Sequence, residues 1–135
     1  MNWVEKRWQE EQFLAANGDL LWRDLCNALK DAAHSYRNRY QGIVTVEDEK
    51  RETQLRIAVG EFSKQAILDL AFDSRRIKVV CRSGFCQSFT IDLYPDPGTP
   101  YRVAGESAPL STEEASQLIL QPAFFPESPS QFSYV

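Results

Sequence analysis

Histidine, methionine and glycine are scarce in this chain of 135 residues, which contains one histidine, one methionine and six glycines. The glycines are scattered as turn and cap residues and form no glycine-rich phosphate loop, so nucleotide binding by that route is not expected. A structural zinc site needs about four cysteine, histidine or acidic ligands, and one histidine with dispersed cysteines does not supply them. We therefore predict no metal and no cofactor, and we assign no catalytic residue.

Long apolar runs and secretion signals are also missing. No stretch approaches the roughly 18 apolar residues of a membrane span, and the first residues carry charges where a signal peptide needs apolar side chains. Three cysteines, an odd number, favour a reducing compartment over a disulfide framework. These features predict a soluble, cytoplasmic protein that does not bind a membrane.

Positive charge is limited as well, because the formal net charge is -4. Residues 92–135 carry six acidic side chains against one basic side chain, so the rest of the chain is close to neutral. A general nucleic-acid binder needs cationic surface to displace counterions. We expect no nucleic-acid partner.

What the chain does contain is a block of alternating apolar residues from about Val44 to Leu93. Side chains alternate faces along a strand, so each apolar triplet lines one side of one strand. The triplets are Leu55, Ile57 and Val59; Leu68, Leu70 and Phe72; Ile77, Val79 and Cys81; and Phe89, Ile91 and Leu93. The pattern predicts an antiparallel meander of about five strands with one apolar and one mixed face, and a further short strand is expected at 101–103.

Helical spacing flanks this block on both sides. Apolar residues between Leu21 and Tyr40 form one stripe, and Asn17-Gly18 is expected to separate this long helix from a shorter one over about 3–16. Ser111-Thr112-Glu113-Glu114 is a capping box that predicts a helix ending near Gln121, where Pro122 stops it. The predicted fold is two-layer α+β: residues 1–122 form one domain, in which the long N-terminal helix covers one face of the meander, and residues 123–135 form an irregular tail.

Turn residues set the expected register of the strands. A charged turn at 48–51 is expected to pair Val44 with Leu55, and a second turn at 61–64 to place Val59 opposite Ala66. Asp73-Ser74-Arg75 marks a third turn, because Asp and Ser side chains bond the backbone in turns.

Cys81 and Cys86 flank a predicted three-residue hairpin turn, Arg82-Ser83-Gly84. That register places Cys81 opposite Phe85 and Cys86 on the other face, so both thiols are expected to stay unpaired. A β-bulge would reverse this parity and allow a disulfide, which is the open alternative. Cys26 is interpreted as core filler.

The mixed face of the sheet is the main functional hint. It carries a basic cluster interrupted by apolar residues, which suits a docking surface for an acidic partner or for the acidic C-terminal third of the chain. The simpler interpretation is a solvated sheet face. The residues assigned to partner binding are Arg56, Ile67, Asp69, Arg76, Lys78, Val80 and Arg82.

Two functional hypotheses follow. The preferred one is a non-enzymatic protein–protein interaction module, with a protein partner or a second copy bound through the outer sheet face or a helix. The alternative is a small-molecule-binding or enzymatic domain with a cavity between the long helix and the sheet. That cavity would be lined by Trp22, Tyr36, Tyr40 and the three thiols, with Cys86 or His34 as its reactive group. The simpler interpretation of His34 is a solvated residue on the polar border of the helix.

Overall fold

The computed structural model describes residues 2–48, 52–61, 65–82 and 86–126. The six strands form one antiparallel sheet in chain order. The elements are helix α1 (Trp3–Tyr40), strands β1 (Val44–Asp48), β2 (Gln54–Val59), β3 (Ala66–Asp73), β4 (Arg76–Cys81), β5 (Phe89–Leu93) and β6 (Tyr101–Val103), and helix α2 (Thr112–Phe124). The predicted α+β fold is confirmed, with the short strand at 101–103 completing the sheet.

Helix α1 runs unbroken for 38 residues, so the predicted break at Asn17-Gly18 is wrong. The Asn17 side-chain amide donates to the Phe13 carbonyl at 2.8 Å, a bond made within the helix. Gly18 is buried, and a Cβ there would lie 3.0 Å from the Ser74 carbonyl oxygen. Gly18 therefore allows α1 to approach the β3–β4 turn closely, and this tertiary contact outweighs the glycine's low helix propensity.

Both ends of α1 have identifiable causes. Asn2 caps the first turn, because its side-chain oxygen accepts a hydrogen bond from the Glu5 amide at 2.9 Å. At the other end Gln41 adopts a left-handed conformation with φ 52°. Gly42 follows, and a Cβ at this position would overlap the Tyr36 ring. The chain therefore turns sharply into β1.

The register of the sheet confirms some of the predicted turns. Val59 lies opposite Ala66, as expected, and Asp73 pairs with Arg76 across the predicted third turn. The first register is wrong, since Val44 pairs with Val59 and Asp48 pairs with Leu55. Strand β1 therefore continues through its charged residues, which face solvent.

The core lies between the apolar sheet face and the two helices. The predicted inward residues of β2 to β5 are buried, except for Cys81 and Phe89 at the open end of the β4–β5 ladder, which are partly buried. Helix α1 contributes Leu21, Trp22, Leu25, Leu29 and Ala33 to the same cluster. Trp22 stacks on Phe72 with the ring centroids 5.6 Å apart. The buried Tyr101 hydroxyl donates to the Leu21 carbonyl at 2.6 Å, which joins β6 to α1.

Helix α2 was predicted to end near Gln121, before Pro122, but it continues through the proline to Phe124. The capping box at Ser111 and Glu114 is confirmed, with bonds of 3.0 and 3.2 Å. The last turn is held by the Phe124 ring, which stacks on Tyr36 at 4.1 Å. This contact offsets the hydrogen bond that the proline cannot donate. Of the predicted tail, residues 127–135 lie outside the described part of the chain.

Cys81 and Cys86 form a disulfide, with their Cα atoms 5.8 Å apart, so the prediction of two unpaired thiols is wrong. The parity argument itself holds, because Val79 pairs with Phe89 and Ile77 pairs with Ile91. However, the connection between β4 and β5 is longer than the predicted three-residue turn. Residues 83–85 of this connection lie outside the described part of the chain. Cys86 precedes β5 and is not bound by strand alternation, which leaves Cys26 as the one free cysteine. The odd cysteine count therefore no longer argues for a reducing compartment.

Candidate functional site

The outer sheet face carries six of the seven residues assigned to partner binding, and Arg82 follows directly on β4. Asp69 on β3 lies at the centre of one group: its carboxylate accepts from Arg56 Nε at 2.7 Å and from Arg82 Nε at 2.8 Å. Partial burial by itself would raise the pKa of Asp69. The two guanidinium groups outweigh that effect, and the pKa lies below its ordinary value of 3.8.

A second row of alternating charge crosses the same face. The register places Asp73 opposite Arg76, Arg76 opposite Asp92, and Asp92 opposite Arg102. Arg76 Nε lies 3.2 Å from an Asp92 carboxylate oxygen, and the Arg102 guanidinium lies over the Tyr94 ring at 5.3 Å. Cross-strand pairs of opposite charge stabilise a sheet, so most of the predicted basic cluster has partners within its own sheet.

The outer face is therefore nearly balanced in charge rather than strongly basic. Within the described residues, Lys78 is the one cation of the predicted set without an ion pair. Ile67 and Val80 are half-buried beside these charges. The structure brings the predicted residues onto one surface, and their role in binding a partner stays a prediction.

A second surface was missed by the sequence analysis and lies on the first part of α1. The segment Trp3–Asn17, here called the projecting half, precedes the first buried residue of the helix, Gly18. Trp3, Val4 and Trp8 are 78%, 55% and 60% exposed. Exposed apolar side chains that form a contiguous patch mark interaction sites on protein surfaces.

The exposed stripe continues the face by which α1 contacts the sheet. Val4, Trp8 and Ala15 follow one another at spacings of four and seven residues, and Trp22 and Leu29 continue the seven-residue spacing into the core. This helix face is thus buried along its second half, makes partial core contact at Leu14, and is open at Val4 and Trp8. This spacing was readable in the sequence, but the expected break at Asn17-Gly18 hid it.

Charged residues are interleaved with the projecting stripe in a fixed order. Lys6 and Arg7 precede Trp8 and outweigh the single acid Glu5 beside them, and Glu10 and Glu11 follow it. Arg7 Nε lies 3.5 Å from a Glu11 carboxylate oxygen in an exposed pair one turn apart. The stripe therefore has a basic turn on one side of Trp8 and an acidic turn on the other.

The predicted cavity between helix and sheet is present only in part. A cleft of about 630 Å³ lies between α1 and the part of the sheet formed by β1, β2 and β3. Trp22 and Cys26 line it, together with charged groups that include Arg23, Lys30 and Asp48. Lys30 Nζ lies 3.1 Å from an Asp48 carboxylate oxygen. Burial raises the pKa of Cys26 to about 12, so its thiol is protonated at neutral pH and a weak nucleophile.

The other residues proposed for that cavity lie elsewhere. Tyr36 and Tyr40 line a separate groove of about 480 Å³ between α1 and α2. Cys86 is in the disulfide with Cys81. His34 is exposed, and its imidazole is 3.0 Å from the Asn38 side-chain amide on the same helix. The structure thus brings neither proposed reactive group to the cleft.

No protein-family model, no curated protein and no solved structure matches this chain. Among the described residues, no three histidine, cysteine or acidic side chains lie together as a metal site would require. Within the same residues, none of the helices combines the length and apolar character needed to cross a membrane.

Proposed function

We propose that this protein is a small protein–protein interaction module and that the projecting half of α1 is its main binding surface. The observation that carries the proposal is the exposure of Trp3, Val4 and Trp8 on the open continuation of the core-facing stripe. Tryptophan is enriched among residues that dominate binding energy at protein interfaces. An amphipathic helix with an unpartnered apolar face is also a recurring mode of protein recognition.

The outer sheet face is less suited to this role than the sequence suggested. Its charged rows are paired internally, so a partner would have to displace existing ion pairs or leave them buried, and desolvating them is costly. The projecting half contains one ion pair, Arg7 with Glu11, and both of its side chains are well exposed, so burying it costs less than burying the Asp69 group. No described element covers Trp3 or Trp8. This difference is the reason for preferring the helix.

The proposal is tested by substituting each surface in turn. We expect the double variant Trp3→Ala/Trp8→Ala to lose association by tenfold or more, measured by sedimentation or by quantitative capture of a binding protein. Gln9→Ala is the matched control, because Gln9 is exposed on the opposite side of the same helix turn. If Lys78→Glu loses association while the tryptophan variant keeps it, the binding surface is the outer sheet face and not the helix.

A second candidate function is small-molecule binding in the cleft beside Trp22. The observation that favours it is the convergence of Arg23, Asn27 and Lys30 with three acidic groups on one cavity of several hundred Å³.

A thermal-shift screen of charged metabolites tests this candidate. Asn27→Trp should block the cleft and abolish any shift, whereas Asp31→Trp, one turn further along α1 and outside the lining, should keep it. A shift that survives Asn27→Trp would place the ligand elsewhere.

A further inference from the structure

We propose that the projecting half of α1 binds the same segment of a second copy of this chain, in antiparallel orientation, to form a homodimer. The inference rests on the proposed function, because it names the partner of that surface. Two properties of the segment specify the occupant: the order of its charges along the helix and the length over which it is open.

The charge order is complementary to itself only when one copy is reversed. With Trp8 near the two-fold axis, the basic turn of Lys6 and Arg7 lies beside the acidic turn of Glu10 and Glu11 of the second copy. The reverse contact follows by symmetry. A parallel pair would instead place basic turn against basic turn and acidic against acidic, which disfavours it.

The apolar residues match under the same reversal. The two Trp8 side chains lie next to each other near the axis, and Trp3 of each copy lies beside Leu14 of the other. Leu14 is partly buried and Trp3 is largely exposed. Leu14 packs partly against the core of its own copy, so Trp3 of the second copy meets an apolar residue at the edge of that core. The antiparallel alignment ends before Gly18, the first buried residue of the helix.

The buried area is sufficient for a reversible dimer. Four tryptophans that bury roughly 150 Å² or more each supply about half of the roughly 1,200 Å² that a specific interface needs. The Lys6, Arg7 and Glu10 stems and Val4 contribute further area. We expect a dimer that dissociates on dilution.

A membrane surface fits the segment less well. Helices that lie on anionic membranes carry an excess of Lys and Arg on the polar face, but residues 2–17 contain three acidic and two basic side chains. The acidic turn would be repelled by anionic lipid. A second copy uses both charged turns.

A charge-exchange experiment by sedimentation velocity tests the pairing. Lys6→Glu/Arg7→Glu makes both turns acidic, and Glu10→Lys/Glu11→Lys makes both basic. Each variant alone should be monomeric at concentrations where the wild type is dimeric, because like charges then meet. An equimolar mixture should recover the dimer. Gln9→Glu/Gln12→Glu adds negative charge outside these two turns and serves as the control for non-specific charge effects, and circular dichroism verifies the fold of each variant.

Orientation is measured with a spin label at Asp19→Cys, since Asp19 is exposed whereas the free Cys26 is buried. An antiparallel pair centred near Trp8 places the two labels about 30 Å apart at 1.5 Å per residue. A parallel pair places them about 10–20 Å apart, and that result would overturn the proposed arrangement.

The remaining outcomes separate the two proposals. A wild type that stays monomeric at millimolar concentration overturns the second-copy inference. The proposed function is then tested by whether Trp3→Ala/Trp8→Ala loses binding to a different protein. A dimer that survives both charge variants and Trp3→Ala/Trp8→Ala overturns both, because association would then use another surface.

Discussion

At the scale of single residues, burial determines which polar groups can change charge. Tyr101 illustrates this, because burial raises the pKa of its hydroxyl to about 12 from an ordinary value of 10.0. The hydroxyl also donates to the Leu21 carbonyl, so the protonated form fits the fold and the phenolate does not. Asp69 shows the opposite direction, since two arginines favour its charged form.

We expect alkaline pH to destabilise the protein through Tyr101. A pKa that is higher in the folded than in the unfolded chain gives stability that is complete below pH 10 and is lost as pH rises towards 12. Tyr101→Phe should lose about 1 kcal/mol at neutral pH, because the hydrogen bond to Leu21 is removed. It should also show a shallower fall in stability above pH 10. Urea unfolding at pH 7 to 11.5 measures both. Tyr94→Phe is the control, because it removes a tyrosine hydroxyl without touching the buried hydrogen bond between Tyr101 and Leu21.

The residue scale also shows a limit of sequence reasoning. Alternation predicted the inward residues of the strands, because a strand's side chains have a fixed period. It did not predict the Cys81–Cys86 pair. Cys86 lies in a connection, where no period constrains the side chain, and the length of that connection depends on the register of the whole hairpin.

At the scale of elements, tertiary contact decided where the helices end. Asn17-Gly18 and Pro122 are strong local stop signals, yet α1 and α2 continue through both. In each case a packing contact compensates: Gly18 against the β3–β4 turn, and Phe124 against Tyr36. Helix ends were predictable where capping alone determined them, as at Ser111.

Gly18→Val is expected to destabilise the protein by about 2–3 kcal/mol through overpacking. The Cβ alone meets the Ser74 carbonyl, and the added methyl groups would approach Phe72 and Leu93. Ala16→Val, at an exposed position of the same helix, should cost about 0.5 kcal/mol from helix propensity. Urea midpoints compare the two variants. Equal losses would show that Gly18 has no packing role.

At the scale of the whole molecule, the chain consists of a two-layer core and the projecting half of α1, which extends beyond it. The two-layer arrangement could be predicted, because a sheet with one apolar face must bury it against another layer. The projecting half could not be predicted, because sequence periodicity does not distinguish a helix stripe that packs on a sheet from one that extends past the edge of the sheet.

We expect removal of residues 2–10 to leave cooperative unfolding intact, with a loss below about 1 kcal/mol, since these residues lie outside the core. Leu29→Asp should abolish the folded state, because it buries an unpaired carboxylate. Differential scanning calorimetry measures both. A large loss of stability on removal of 2–10 would show that the projecting half is part of the folding unit.

The absence of a break in α1 has a geometric consequence. A helix of 38 residues is roughly 57 Å long at 1.5 Å per residue, and its second half is fixed to the sheet by buried contacts. Anything bound to Trp3 and Trp8 is therefore held at a set distance and rotation relative to the outer sheet face. A hinge at Asn17-Gly18 would have made the tryptophans a tethered binding peptide. The continuous helix makes them part of a rigid spacer, so a partner bound at Trp3 and Trp8 keeps a nearly fixed orientation relative to the sheet.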